Sequence, residues 1–284
     1  MPVVPMQEIL RDAFQRRYGV GAFNIVNDLT MRAVLAAAAE TQSPVIVQVS
    51  VKTVKQMGAK LIQLMFGEMA RRLHVPATLH LDHCSDRGVI EDCIQAGWKS
   101  VLFDASLLPY EENLAQTTEV VARAHLCGVA VEGELEAVKG VEDDFGSDGE
   151  VPVVPLDQAV AFMSATGIDS FAPAIGTAHG LYTREPKINF ERVSEIVAAL
   201  PLPLVVHGGT GLSGPVIQEL IRRGAVKINL STQLKITFTN SLRDVFNRQV
   251  EEHEPLKLLG AVEKNVQAMA ANFMGVIGSE GKAA

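Results

Sequence analysis

Eight short β-rich runs alternate with helical stretches along almost the whole chain, at residues 21–26, 44–50, 77–82, 100–105, 129–135, 170–176, 203–208 and 225–231. Between them, apolar residues recur at helical spacing over 28–40, 86–96, 111–126, 157–166, 190–200, 213–223 and 233–250. Eight successive βα units favour a parallel sheet closed on itself, an α/β fold of the (β/α)8 TIM-barrel type. Met6, Ile9, Leu10, Ala13 and Phe14 add a helix before the first strand, and residues 255–274 add another after the eighth unit. The 284 residues suit one barrel of roughly 250 residues, and no Pro/Gly/Ser linker divides them. Residues 1–284 are therefore expected to form a single barrel domain.

Composition narrows the function classes. A formal charge of −8 and a pI near 5.4 leave no basic stripe for the phosphates of a nucleic acid. The three cysteines, Cys84, Cys93 and Cys127, lack C-x-x-C spacing and suggest reduced thiols in a cytoplasmic protein. The first residues carry no basic start before an apolar core, and no apolar run approaches roughly 18 residues, so neither a leader nor a membrane span is expected. The irregular stretch is 136–155, rich in acidic residues and glycine, which reads as a functional lid or a solvated loop.

Barrels of this kind carry their chemistry at the carboxyl ends of the strands, where this chain sets polar residues into otherwise apolar runs. Alternation puts His80 and Asp82 on one face of the third strand and leaves His83 at the mouth, able to turn toward the axis. Glu132 and Glu134 share a face of the fifth strand, Asp104 ends the fourth, His207 ends the seventh, and Asn229 and Ser231 share a face of the eighth. His83, His179 and His207, each followed closely by glycine or standing at a strand end, supply three nitrogen donors that suit zinc with a fourth position left open. Asp82 beside them is a candidate general acid/base, or a group that orients a ligand. Asp104 and Glu134 offer either a second metal position or support for the histidines. His80 reads as a supporting interior residue, and His74, His125 and His253 fit no pattern.

Gly180 follows His179, and Gly208, Gly209 and Thr210 follow His207, while Asn229, Ser231 and Thr232 lead into a helix. Such loops, with a helix amino terminus, form the recurrent phosphate site of these barrels. A metal that polarises a carbonyl, an inward acid/base and a phosphate cradle together fit chemistry next to the ketone of a phosphorylated sugar. A metal-dependent hydrolase could use the same ligands, although the first strand, Gly21-Ala22-Phe23-Asn24-Ile25, lacks the His-x-His usual for one such group. A noncatalytic subunit predicts a lost ligand or acid, and none is lost.

Gly21-Ala22-Phe23-Asn24, Ser50, His80-Leu81-Asp82-His83, Asp104-Ala105-Ser106, Glu132-Gly133-Glu134-Leu135, Gly176-Thr177-Ala178-His179-Gly180, His207-Gly208-Gly209-Thr210-Gly211 and Lys227-Ile228-Asn229 span nearly the whole chain. In this combination the sequence resembles the class II, zinc-dependent ketose-bisphosphate aldolases, which include fructose- and tagatose-bisphosphate aldolases. The resemblance implies catalytic zinc on His83, His179 and His207, a second metal position at Asp104 and Glu134, and Asp82 as the group exchanging the C4 hydroxyl proton. It implies that Gly180, Gly208, Gly209, Thr210, Asn229, Ser231 and Thr232 form the dihydroxyacetone phosphate site, with Ser50 nearby. Glu142, in the acidic segment, matches a carboxylate that moves the C3 proton on a mobile loop. A monovalent cation (Na+ or K+) and a homodimer or homotetramer are also implied.

The chain departs from that pattern at Glu136 and Lys139-Gly140, where the family carries glycine after Glu-Leu and then a Gly-Gly pair, which bears on the loop's hinge. Ser231 and Gln233 replace a common Asp or Ala and an acidic residue. Glu254-Pro255-Leu256 replaces Asp-Pro-Arg, removing an arginine expected at the distal phosphate of a bisphosphate. The expected activity is thus reversible aldol cleavage of a phosphorylated ketose, fructose- or tagatose-1,6-bisphosphate-like, or of a relative whose aldehyde part is a semialdehyde.

Overall fold

The computed structural model describes residues 2–138, 140–142, 145–147, 153–182 and 184–283. In chain order the elements are α1 (Met6–Arg16), β1 (Val20–Asn24), α2 (Asp28–Thr41), β2 (Val45–Ser50), α3 (Val51–Met57), α4 (Ala59–Ala70), β3 (Ala77–Cys84), α5 (Arg87–Ala96), β4 (Ser100–Asp104), α6 (Tyr110–His125) and β5 (Ala130–Glu134). They continue with β6 (Gly140–Glu142), β7 (Phe145–Ser147), α7 (Leu156–Thr166), β8 (Ser170–Ala172), α8 (Phe190–Ala199), β9 (Leu204–Val206), α9 (Gly214–Arg223), β10 (Ala225–Leu230), α10 (Thr232–Arg248) and α11 (Pro255–Val276).

Eight parallel strands close in the order β1-β10-β9-β8-β5-β4-β3-β2, which is the (β/α)8 barrel expected from the alternating pattern. Their side chains are buried on both faces, against the lumen and against the outer helices, which is why these runs read as apolar throughout. α1 buries Met6, Ile9, Leu10 and Ala13 and packs on β3 and β10, and α11 packs along α2 and α10. Local signals set several helix ends. Asn27 and Thr30 form a capping box that starts α2, and the Asp86 carboxylate accepts from the backbone N–H of Gly88 and Val89 to start α5.

Three details depart from the sequence reading. The connection after β2 holds two helices, α3 and α4, parted by Gly58 at φ 88°. The run expected over 170–176 stops at Ala172, because Pro173 brings no N–H to the ladder. Part of the acidic segment forms an antiparallel pair, β6 with β7, in which Gly140 faces Ser147. No helix among the described residues is long and apolar enough to cross a membrane.

Candidate active site

The strand β3 changes register where it pairs with β4, between Leu81 and Cys84, while its pairing with β2 runs unbroken to Asp82 opposite Ser50. At this bulge His83 takes φ 39°, a backbone region that side chains enter only when the surroundings enforce it. The ordinary alternation of a strand is thereby broken, and Asp82 and His83 both engage groups from other strands. The Oδ2 atom of Asp82 accepts from Asn24 Nδ2 of β1 at 2.7 Å, and Asn24 Oδ1 in turn accepts from Gln48 Nε2 at 2.8 Å. Nδ1 of His83 lies 2.7 Å from Asp104 Oδ2.

His83, His179 and His207 come together with ring centroids 4.5 to 5.8 Å apart. Their candidate ligand atoms all lie within 4.8 Å of one another. A second group of the same kind joins His83, Asp104 and Glu134. His207 follows β9 directly, but His179 lies in the loop beyond β8 rather than at a strand end, since that strand closes at Ala172. Tyr182 ties this loop to the next one. Its hydroxyl accepts from the N–H of Ala178 at 3.0 Å and donates to the carbonyl of Gly208 at 2.8 Å.

The electrostatics suit a cation. Burial opposes charge on His83, but the carboxylates of Asp82, Asp104 and Glu134 outweigh it and hold its pKa well above the ordinary value. Burial and the neighbouring His83 charge push His207 down to about 4, leaving it neutral. Burial would raise Asp82 and Asp104, yet His83 and its neighbours overcome it, lowering Asp82 and bringing Asp104 to about 2. Glu134 is driven well above the ordinary value by burial and by the Asp104 charge. Its Oε1 accepts from Val138 N–H at 3.2 Å, whereas Oε2 and His207 Nδ1 have no hydrogen-bond partner among the described residues. Buried lone-pair atoms without a protein partner, gathered among acidic side chains and a neutral imidazole, fit a divalent cation. The contact of Asp104 with His83 is compatible with either reading from sequence, a second metal position or support for the histidine.

The glycine-rich loops expected to take a phosphate adjoin His179 and His207. Gly180 and Gly208 have φ of 86° and 69°. A side-chain carbon on Gly208 would stand 2.2 Å from the carbonyl oxygen of Ala178, and one on Gly209 would stand 2.6 Å from that of Asn229. Thr210 Oγ1 accepts from Gln233 N–H at 3.3 Å, joining the loop to the first turn of α10. Thr232 opens that helix. Asn229 Oδ1 and Ser231 Oγ are buried with no hydrogen-bond partner among the described residues, as groups that receive a polar ligand would be. Ser50 is buried at the end of β2, 3.4 Å from Thr53 Oγ1. Glu142 falls in β6, and its side chain lies outside the described part of the chain.

Two residues given no role from sequence, Glu132 and Lys227, prove central, and one read as a support is found as such. His80 is buried on Ser100 Oγ at 2.7 Å, as an interior support. Glu132 and Lys227 are fully buried and paired with each other, and Glu132 also meets His207. Alternation within β10 puts Lys227 on the face of Asn229, and a lysine in so apolar a run was the available signal. Glu136, which stands where the family pattern has glycine, accepts from the N–H groups of Val154 and Ala174 and pairs with buried Arg192.

The family model for class II fructose-bisphosphate aldolase matches residues 4–282. A fructose-bisphosphate aldolase of Geobacillus stearothermophilus is 39% identical over 287 aligned positions covering 100% of both chains. One of Staphylococcus aureus is 40% identical, over 96% of this chain and 98% of its own. The crystal structure of the YdjI aldolase from Escherichia coli K12 superposes with a TM-score of 0.86 at 32% identity, covering 99% of this chain and 100% of that one. With its barrel and histidine cluster, the chain belongs to the class II fructose-bisphosphate aldolase family and is an aldolase, a carbon–carbon lyase.

Proposed function

We propose that the protein catalyses reversible, zinc-dependent cleavage of a phosphorylated ketose, fructose- or tagatose-1,6-bisphosphate-like, to dihydroxyacetone phosphate and an aldehyde. The observation that carries this reading is the meeting of His83, His179 and His207 beside Asp82, with the glycine-lined loops adjoining. Zinc held by the three imidazoles would supply a Lewis acid that polarises the ketone and offsets negative charge as the carbon–carbon bond breaks.

Asp82 takes the C4 hydroxyl proton in cleavage and returns it in condensation. Its depressed pKa keeps it ionised and ready to accept, and Asn24 holds the carboxylate in place. Gly180, Gly208, Gly209 and Thr210 bring backbone close to the substrate phosphate, with Asn229, Ser231 and Thr232 at the start of α10 and Ser50 beside them. Glu142 is assigned the proton at C3. Asp104 and Glu134 orient His83 and give the second metal position, and a monovalent cation and a dimer or tetramer complete the assignment. Leu256 stands exposed at the start of α11 and offers no charge to a distal phosphate.

A panel of phosphorylated ketoses, scored for dihydroxyacetone phosphate release with and without a chelator, tests the reading. Release from at least one ketose, lost on chelation and restored by Zn2+, is the expected result. Activity that survives complete metal removal, or an Asp82→Asn enzyme with wild-type turnover, would overturn it.

A further inference from the structure

Lys227 is fully buried in the barrel lumen and has no part in the chemistry assigned above. Its Nζ lies 2.9 Å from Glu132 Oε2, a close ion pair without aligned hydrogen-bond geometry. The other oxygen of that carboxylate, Oε1, lies 2.9 Å from His207 Nε2. Lys227 comes from β10, Glu132 from β5 and His207 from the end of β9. Since β10 and β5 are not neighbours in the barrel, the row of groups crosses the lumen, and none of its side chains reaches solvent.

The chemistry of this row has a direction. An ammonium only donates, and an ionised carboxylate only accepts. A buried carboxylate is strongly disfavoured without a counter-charge, and Lys227 supplies one directly against it. Glu132 therefore presents an acceptor to His207, whose Nε2 must carry the hydrogen. The lone pair is left on Nδ1, the nitrogen that faces Glu134 Oε2 at 3.6 Å and has no hydrogen-bond partner among the described residues. His80 does not compete for this bond, because its Nδ1 is engaged by Ser100 and its Nε2 stands 3.7 Å from the oxygen nearer Lys227.

We propose that Lys227 is a positioning residue: through Glu132 it fixes the tautomer and ring orientation of His207, so that Nδ1 is presented to the divalent cation. This rests on the reading of His207 as a metal ligand. The role differs from that of Asp104 on His83, because here the orienting carboxylate is itself held by a cation from the far side of the barrel. A substitution that never touches the metal would then alter how tightly the metal is held.

Two measurements test this, neither of them turnover. In metal-free protein labelled with 15N at histidine, the His207 signals, assigned by their loss in His207→Asn, should show hydrogen on Nε2 and none on Nδ1. In competition with a chromophoric chelator, Lys227→Met and Glu132→Gln should each weaken Zn2+ and Co2+ binding by about 10–100-fold, with the Co2+ absorption spectrum altered. Hydrogen on Nδ1 in the wild type overturns the proposal, and so does affinity within about twofold of wild type in both variants. The wild-type tautomer decides the matter should neither variant fold. A wild type that takes up neither ion overturns the metal reading together with this one, whereas a wild type that binds beside unchanged variants overturns this one alone.

Discussion

Arg192 of α8 and Glu136, just beyond β5, meet in a buried ion pair that gathers both ends of the acidic segment. Glu136 Oε1 also accepts from Val154 N–H at 2.8 Å, and Arg192 Nη1 donates to the Val154 carbonyl at 2.9 Å. Oε2 of Glu136 takes the N–H of Ala174, beyond β8, at 2.9 Å. Arg192→Met would leave this carboxylate without its counter-charge and the Val154 carbonyl without its donor. Removing one partner of a buried pair costs about 3–5 kcal/mol, so urea unfolding should show a loss of that size, and a loss below about 1 kcal/mol would show that the pair is not structural.

Asp82→Asn should lower kcat by about 10²–10⁴-fold while metal content stays at the wild-type level. Asn24→Ala removes the 2.7 Å hydrogen bond to Asp82 and should lower kcat by less than Asp82→Asn does. Steady-state kinetics with metal analysis would check both. A drop in metal content parallel to the drop in rate would instead place Asp82 among the ligands.

Chelation should lower stability as well as activity. A cation that binds only the folded chain stabilises it by about 2.7 kcal/mol at about 100 times its Kd. Thermal unfolding with and without added Zn2+ measures this, and coincident curves would count against a folded-state metal site.

Two glycines of the cradle should respond differently to a methyl group. Gly180 has open space around it, so Gly180→Ala bears only the left-handed backbone cost of about 1–2 kcal/mol. Gly208→Ala adds a carbon 2.2 Å from the Ala178 carbonyl oxygen, and must displace either the cradle or the His179 loop. It should therefore destabilise the protein more than Gly180→Ala does, and raise KM for the phosphorylated substrate. Equal unfolding free energies would contradict the close approach.

The cysteines should separate by reactivity. Burial pushes the Cys84 thiol up to about 12 and raises Cys93 as well, while Cys127 is exposed. Only thiolate reacts, so a thiol reagent should modify Cys127 alone in native protein and reach Cys84 and Cys93 after denaturation. Rapid modification of Cys84 would show that β3 opens near its end.

Much of this architecture was legible because a parallel strand covered on both faces must be apolar, so any polar residue within it stands out. His80, Asp82, Asp104, Glu132, Glu134, His207 and Asn229 were all found in that way. Strand limits were less legible, because pairing depends on a neighbour that sequence does not supply; thus β8 ends at Ala172, and His179 reaches the centre on a loop. The pairings of Lys227 with Glu132 and of Arg192 with Glu136 were hidden for a related reason. Lys227 and Arg192 find their carboxylates in distant parts of the chain, and only closure of the barrel brings them together. The burial of Glu136 was hidden too, because a charged residue opening an acidic, glycine-rich stretch gives no sign of it until Arg192 is placed against it.

The bulge at His83 has a consequence for how the site tolerates motion. Groups from different strands drift apart whenever a barrel breathes, but Asp82 and His83 are joined by a single peptide unit, with Cα atoms about 3.8 Å apart. The backbone separation of the proposed proton carrier and the proposed metal ligand is thus a matter of covalent geometry, while His179 and His207, on other elements, are free to adjust around it.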